Sequence, residues 1–162
     1  MERLATIELE KEYLHFSAAH FTIFSARERE RLHGHNFRVA AKITALVDEN
    51  GLCFNYQVIK KRLKELCQAL DEYTLLPSLS PYLSISELSS DYRVEFAGEV
   101  MHFLKKDVLL LPVRNISIEE LADYFLQKIM EENVMSSIDA RFFEVKVSTG
   151  PGLWGTAVWA KP

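Results

Sequence analysis

Three histidines fall within sixteen residues: His20, and then His33-Gly34-His35. In extended backbone, residues i and i+2 point to the same face, so His33 and His35 can reach one ion together. Gly34 leaves room for close approach, and His20, at the end of an adjacent strand, can supply a third nitrogen. Three imidazole nitrogens with a fourth position open describe a catalytic zinc site rather than a closed structural one. Imidazole suits zinc, where carboxylate-rich sites suit magnesium or calcium. Spacing alone also permits a plainer reading, a turn or a hydrogen-bonded histidine cluster. His15 and His102 have no such company and read as strand or surface histidines.

The elements that must hold these rings follow from periodicity. Residues 5–20 carry β-type content, with Ile7, Leu9, Tyr13 and Phe16 among charges, and residues 21–32 read as a polar loop of alternating Arg and Glu. Over 35–48, Phe37, Val39, Ala41, Ile43, Ala45 and Val47 share one parity, which predicts a half-buried strand. Asp48-Glu49-Asn50-Gly51 supplies turn chemistry. From Gln57 to Leu70 the period changes to that of a helix, with Val58, Ile59, Leu63, Leu66 and Leu70 as its apolar stripe. Pro77 and Pro81 stop any continuation. Short strands are expected at 82–85, 93–96 and 100–104. A second helix follows, announced by the capping-box spacing of Ser117 and Glu120. Two strands, 142–148 and 153–160, close the chain. The order predicts an α+β layer of four main strands with both helices on one sheet face, and two open edges that invite oligomerisation.

Composition bounds the rest. The 162 residues, 48% of them hydrophobic, suffice for a real core, and no linker-like stretch or internal repeat divides them, so one domain over 1–162 is expected. A net charge of −4 argues against nucleic acid as the main partner. The first residues lack the apolar core of a secretory signal, and the longest apolar run, 108–113, is too short to span a bilayer. Cys53 and Cys67 make no disulfide framework, so the expectation is a reduced, cytoplasmic protein without a membrane partner.

Phe16-Ser17-Ala18-Ala19-His20 together with Leu32-His33-Gly34-His35-Asn36-Phe37 closely resembles the paired zinc motifs of the 6-pyruvoyl-tetrahydropterin synthase and 6-carboxytetrahydropterin synthase family. Gly51-Leu52-Cys53-Phe54-Asn55, Leu70-Asp71, Asn115-Ile116-Ser117-Ile118-Glu119 and Val145-Lys146-Val147 extend the likeness over nearly the whole chain, apart from residues 78–112, which resemble an insertion. The resemblance implies a tunnelling fold (T-fold), an antiparallel four-stranded sheet with two helices on one face, here with a small inserted hairpin. It further implies Zn2+ on His20, His33 and His35, a homohexamer of two trimers with sites at subunit interfaces, and a pterin substrate, typically dihydroneopterin triphosphate.

The chain also departs from the family. Family synthases place an acid/base Cys shortly before His-Gly-His; here Glu28-Arg29-Glu30-Arg31-Leu32 has none. A subgroup carries Glu three positions before the first of these histidines, the spacing of Glu30, and its reaction resembles a retro-aldol cleavage to 6-hydroxymethyl-dihydropterin. That implies Glu30 as a catalytic proton relay, set against the plainer reading of one member of a solvated Arg/Glu run. The family's Asp-His relay reads Asp71-Glu72 here, and its pterin-gripping Glu near the third strand is replaced by Ser148 and Thr149. Glu119 matches a family Glu near the site and equally suits a helix N-terminus. Arg27, Arg29, Arg31 and Arg38 offer charge for a triphosphate, or are simply solvated. Two functions follow: a zinc-dependent lyase acting on a pterin with Glu30 as relay, or a divergent zinc-binding paralogue that takes another small heterocycle.

Overall fold

In a computed structural model, which describes residues 3–162, three strands, a helix, five strands, two helices and two strands follow one another along the chain. β1 (Leu4–Leu9) and β2 (His15–His20) both pair with the long β3 (His33–Leu46), β1 along its second half and β2 along its first. The expected strand over 5–20 is thus two strands. Its break is a turn in which Leu14 N–H bonds Lys11 O, after which Val39 N–H bonds Leu14 O. The other side of β3 pairs with β9 (Ala140–Gly150), which pairs in turn with β10 (Leu153–Ala160).

The main sheet has seven strands rather than four, ordered β10-β9-β3-β2-β4-β8 with β1 beside β3. Nor is it wholly antiparallel, because β4 (Tyr73–Pro77) runs parallel to β2, and β8 (Val108–Leu111) parallel to β4. Both strands were invisible to alternation for a physical reason. Leu75-Leu76 and the run 108–111 are short, continuous and apolar, and such runs carry no period. The expected inserted hairpin is a three-stranded antiparallel sheet, β5 (Ser84–Glu87), β6 (Asp91–Phe96) and β7 (Glu99–Leu104).

Helix α1 (Gln57–Leu70) lies against β2, and α2 (Ile118–Met130) against β9 and β10. In α1 the stripe buries Ile59, Leu63, Leu66, Cys67 and Leu70, while Val58 stays 40% exposed. Ser117 caps α2, its Oγ accepting from Glu120 N at 3.3 Å, but the Glu120 carboxylate does not close the box; it turns to the Arg114 amide and guanidinium. A four-residue helix, α3 (Val134–Ser137), leads into β9. The main core lies between helices and sheet, where Phe16 stacks on Phe37 at 4.9 Å and on Phe125 of α2 at 5.9 Å. A second cluster, Phe21, Ile23, Leu76, Val94, Phe96 and Val108, fastens the three-stranded sheet to the loop after β2. No helix among the described residues is long and apolar enough to cross a membrane.

Candidate metal centre

Antiparallel pairing sets His20 opposite His33 and Ala18 opposite His35, so the three rings come together at the ends of β2 and β3. They share the face that carries Phe16 and Phe37, because each lies an even number of residues from one of them. Ring centroids are 4.8 Å apart for His20 and His33, 5.3 Å for His20 and His35, and 4.7 Å for His33 and His35. One nitrogen from each ring lies within 4.8 Å of the other two, a span one ion can gather.

Hydrogen bonds orient two of the rings. His20 is 3% exposed, and its Nδ1 lies 2.9 Å from Ile116 O; since a carbonyl only accepts, Nδ1 carries the proton. His33 Nδ1 is held in the same way by Arg31 O at 2.6 Å. In the neutral ring, each therefore turns an unprotonated Nε2 inward. His20 Nε2 is buried and finds no hydrogen-bond partner among the described residues, and His33 Nε2 meets His35 Nε2 at 2.9 Å. A buried orphan lone pair costs free energy unless something accepts it. A cation gathered by three imidazoles answers that cost, so the residues fit a metal ion. Burial lowers the His20 pKa, with His33 and His35 adding to the effect against Ile116 O and Glu30, and burial followed by His33 lowers that of His35. Lowered values favour the neutral, ligating form.

Glu30 stands beside the triad, its Oε2 3.7 Å from His33 Nε2 and accepting from Thr22 N at 2.9 Å. Burial opposes its charge, but Thr22, then His33 and His20, hold its pKa below the ordinary carboxylate value. Glu72 lines a cleft of about 530 Å³ with His35, Ser17, Asn36 and Asp107; its backbone is left-handed at φ 65° and is tied by its N–H to Ser17 O at 2.7 Å. Asp71 ends α1, and its Oδ1 accepts from Ser17 N at 2.8 Å, fixing helix to strand rather than facing the cleft.

The remaining expected residues are elsewhere in the chain. Ser148 is buried on β9 opposite Arg38, its hydroxyl donating to Gly150 O and accepting from Gly150 N. Thr149 follows it, and Glu119 lines a separate cavity at the start of α2 with Tyr82, Arg114 and Asn115. Neither cysteine is near the rings: Cys67 is buried in α1, its thiol pushed up to about 12 by burial and Asp71, and Cys53 Sγ lies 3.8 Å from Ala45 O. Sequence reasoning missed the groups that aim the site. Asn115 clamps Ile23 through Oδ1 at 3.0 Å and Nδ2 at 2.8 Å, which seats Ile116 O against His20. Ile116 acts through its backbone carbonyl and Thr22 largely through its amide, for which side-chain spacing gives no signal.

The family profile of 6-pyruvoyl tetrahydropterin synthase matches residues 8–158. The chain belongs to that family. It is 27% identical over 142 residues, 86% of each chain, to a Methanocaldococcus jannaschii protein with the provisional name 6-carboxy-5,6,7,8-tetrahydropterin synthase. The solved Plasmodium vivax 6-pyruvoyltetrahydropterin synthase superposes with a TM-score of 0.92 at 26% identity, covering 98% of this chain and 99% of that one. The Plasmodium falciparum protein gives 0.91 at the same identity and coverage. Another Plasmodium vivax structure is of a variant in which alanine replaces a glutamate described as a catalytic residue of that enzyme.

Proposed function

We propose that this protein is a zinc-dependent pterin synthase-like lyase that acts on dihydroneopterin triphosphate or a related pterin, with His20, His33 and His35 as metal ligands and Glu30 as proton relay. One observation carries the reading: the buried, unpartnered Nε2 of His20 faces two further imidazoles and has a carboxylate beside it. Zinc, when bound, supplies Lewis-acid polarisation of a substrate oxygen. The chain's own residues do the rest. Glu30 is kept ionised by Thr22 and is thereby ready to take a proton from a side-chain hydroxyl of the substrate. A pKa held below the ordinary carboxylate value makes Glu30 a weak base, so its part in the transfer rests on its placement beside the histidines. Loss of the hydroxyl proton turns that carbon–oxygen bond into a carbonyl and breaks the adjacent carbon–carbon bond in the retro-aldol sense; the bonding pair stays on the pterin-side carbon, which takes the proton back from Glu30. The catalytic glutamate of the Plasmodium vivax relative supports a carboxylate, rather than a thiol, in this role.

Glu72, in the cleft with His35 and Asp107, is a further carboxylate available to the substrate, and Asp71 supports it by anchoring the chain at Ser17. Glu119 and Thr149 contact substrate only where a second copy completes the site, in a hexamer of single-domain subunits, whereas Ser148, fully buried and bonded to Gly150, does not reach it. Activity on dihydroneopterin triphosphate that requires one zinc per chain and vanishes in His33→Ala is the expected test result. Turnover by metal-free protein would overturn the proposal.

The alternative, a zinc-binding paralogue for another small heterocycle, draws on Ser148. A hydroxyl committed to Gly150 replaces the charged fork that would grip a pterin edge.

A further inference from the structure

Glu30 sits in the loop between β2 and β3, and something must hold its carboxylate beside the histidines. Two hydrogen bonds join it to Thr22: Glu30 N donates to Thr22 O at 2.9 Å, and Thr22 N donates to Glu30 Oε2 at 2.9 Å. A single bridge, Ile23 opposite Arg29, continues the pairing for one step. A clasp this short has little intrinsic stability, since two-stranded ribbons need packing to persist in water.

The packing comes from Arg29. Its guanidinium carbon lies 5.0 Å from the ring centroid of Phe21, in the loop, and 5.7 Å from that of Phe96, on β6. Nη1 donates to Glu30 O at 2.9 Å, and Nη2 reaches Glu99, at the start of β7, at 3.3 Å. The side chain is 19% exposed, and its Nε is buried with no partner among the described residues. A planar, permanently charged fork can stack between two rings and still bond a carbonyl in its own plane; an ammonium cannot do both. Phe21 and Phe96 belong to the same buried cluster, with Ile23, Val94 and Val108, so the three-stranded sheet and the loop share one core.

We propose that Arg29 is a positioning residue which fixes the Glu30 carboxylate, and that the sheet of residues 84–104 serves the site by providing the Phe96 side of the Arg29 clamp. The inference rests on the reading of Glu30 as proton relay, but it makes a structural claim that can be checked without turnover. Arg29 touches neither the histidines nor the cleft beside His35. Its effect runs through the backbone of Glu30, so loss of the clamp changes where the carboxylate is held and leaves the metal ligands in place.

Amide hydrogen exchange in the zinc-loaded protein is the first readout, and steady-state kinetics with dihydroneopterin triphosphate the second. Arg29→Met keeps the apolar stem and removes the fork. Exchange at Thr22 and Glu30 is expected to quicken by about ten-fold or more, with Ile43 and Phe143, a central sheet pair, unchanged. Phe96→Leu, made from the other side of the clamp, is expected to do the same. kcat is expected to fall about ten-fold in both variants, with KM and zinc content held within about two-fold, since misplacement of a reacting group lowers the chemical step. Wild-type exchange at Thr22 and Glu30 in both variants would overturn the proposal, as would loosened exchange with unchanged kcat. If Glu30→Gln turns over normally, the relay reading fails instead, and the exchange data still decide whether Arg29 holds the loop.

Discussion

His20 gives its Nδ1 proton to Ile116 O, which leaves Nε2 as the only nitrogen free for an ion, buried and with nothing else to bind. His20→Ala is therefore expected to bind zinc far more weakly than wild type while keeping its far-ultraviolet circular dichroism. Equal zinc stoichiometry in the two proteins would remove His20 from the ligand set. At Glu30 the chemistry, not the metal, is at stake: Glu30→Gln is expected to retain zinc and lose about 10²-fold or more in turnover, the usual contribution of a positioned acid or base. Cys67, with its thiol pushed up to about 12 by burial and then by Asp71, is expected to resist alkylation at pH 8 until the protein unfolds, whereas the partly buried Cys53 reacts in the native state. Mass spectrometry of the labelled peptides separates the two. At this scale the triad was legible because imidazoles at i and i+2 are a side-chain pattern. The carbonyls of Ile116 and Arg31 that orient the rings were not, because any residue type can supply a carbonyl.

Where β10 crosses the start of α2, Gly155 makes the contact possible. A Cβ there would lie 2.5 Å from Ile118 C and 2.8 Å from Glu119 N, both of them backbone atoms unable to move aside. Gly155→Ala is expected to destabilise by about 1–3 kcal/mol, the usual cost of overpacking, and thermal unfolding reads it as a lowered Tm. The same helix start carries a pH-dependent element. Burial opposes the charge on Glu120, but hydrogen bonds from the Arg114 side chain and amide hold its pKa below the ordinary carboxylate value. A depressed carboxylate pKa contributes stability that is present above the unfolded value and lost as pH falls through the folded one. The stability gap between wild type and Glu120→Gln should therefore be open at pH 7 and close in the acid range below about 4.5, as followed by urea unfolding at a series of pH values. A gap independent of pH would place the stabilisation elsewhere than in the charge. Periodicity revealed α1, α2, β3 and the final strands, whose alternating or helical stripes each face one core. It could not reveal β4 and β8, which lie in a parallel register fixed only by the folded sheet.

Across the whole molecule, the strand path ends at β10 on one side and β8 on the other, with Val158 on β10 58% exposed and Leu110 on β8 37% exposed. Open edges with apolar side chains invite pairing with another copy, and the proposed hexamer would cover them. Sedimentation of the purified protein is expected to give a hexamer; a stable monomer at micromolar concentration would contradict that assembly and, with it, the sharing of Thr149 and Glu119 between subunits. Family membership came within reach of the sequence because the two histidine motifs and their flanks sit at fixed separations. Substrate identity did not, because Ser148 and Glu72 stand where the pattern would have been diagnostic. Mass-spectrometric product analysis addresses that gap most directly: zinc-loaded protein incubated with dihydroneopterin triphosphate, alongside Glu30→Gln. A hydroxymethyl-, pyruvoyl- or carboxy-pterin that forms with wild type and disappears in the variant is the expected result. Unchanged substrate, with one zinc bound per chain, would contradict the pterin lyase reading and turn the search to other heterocycles.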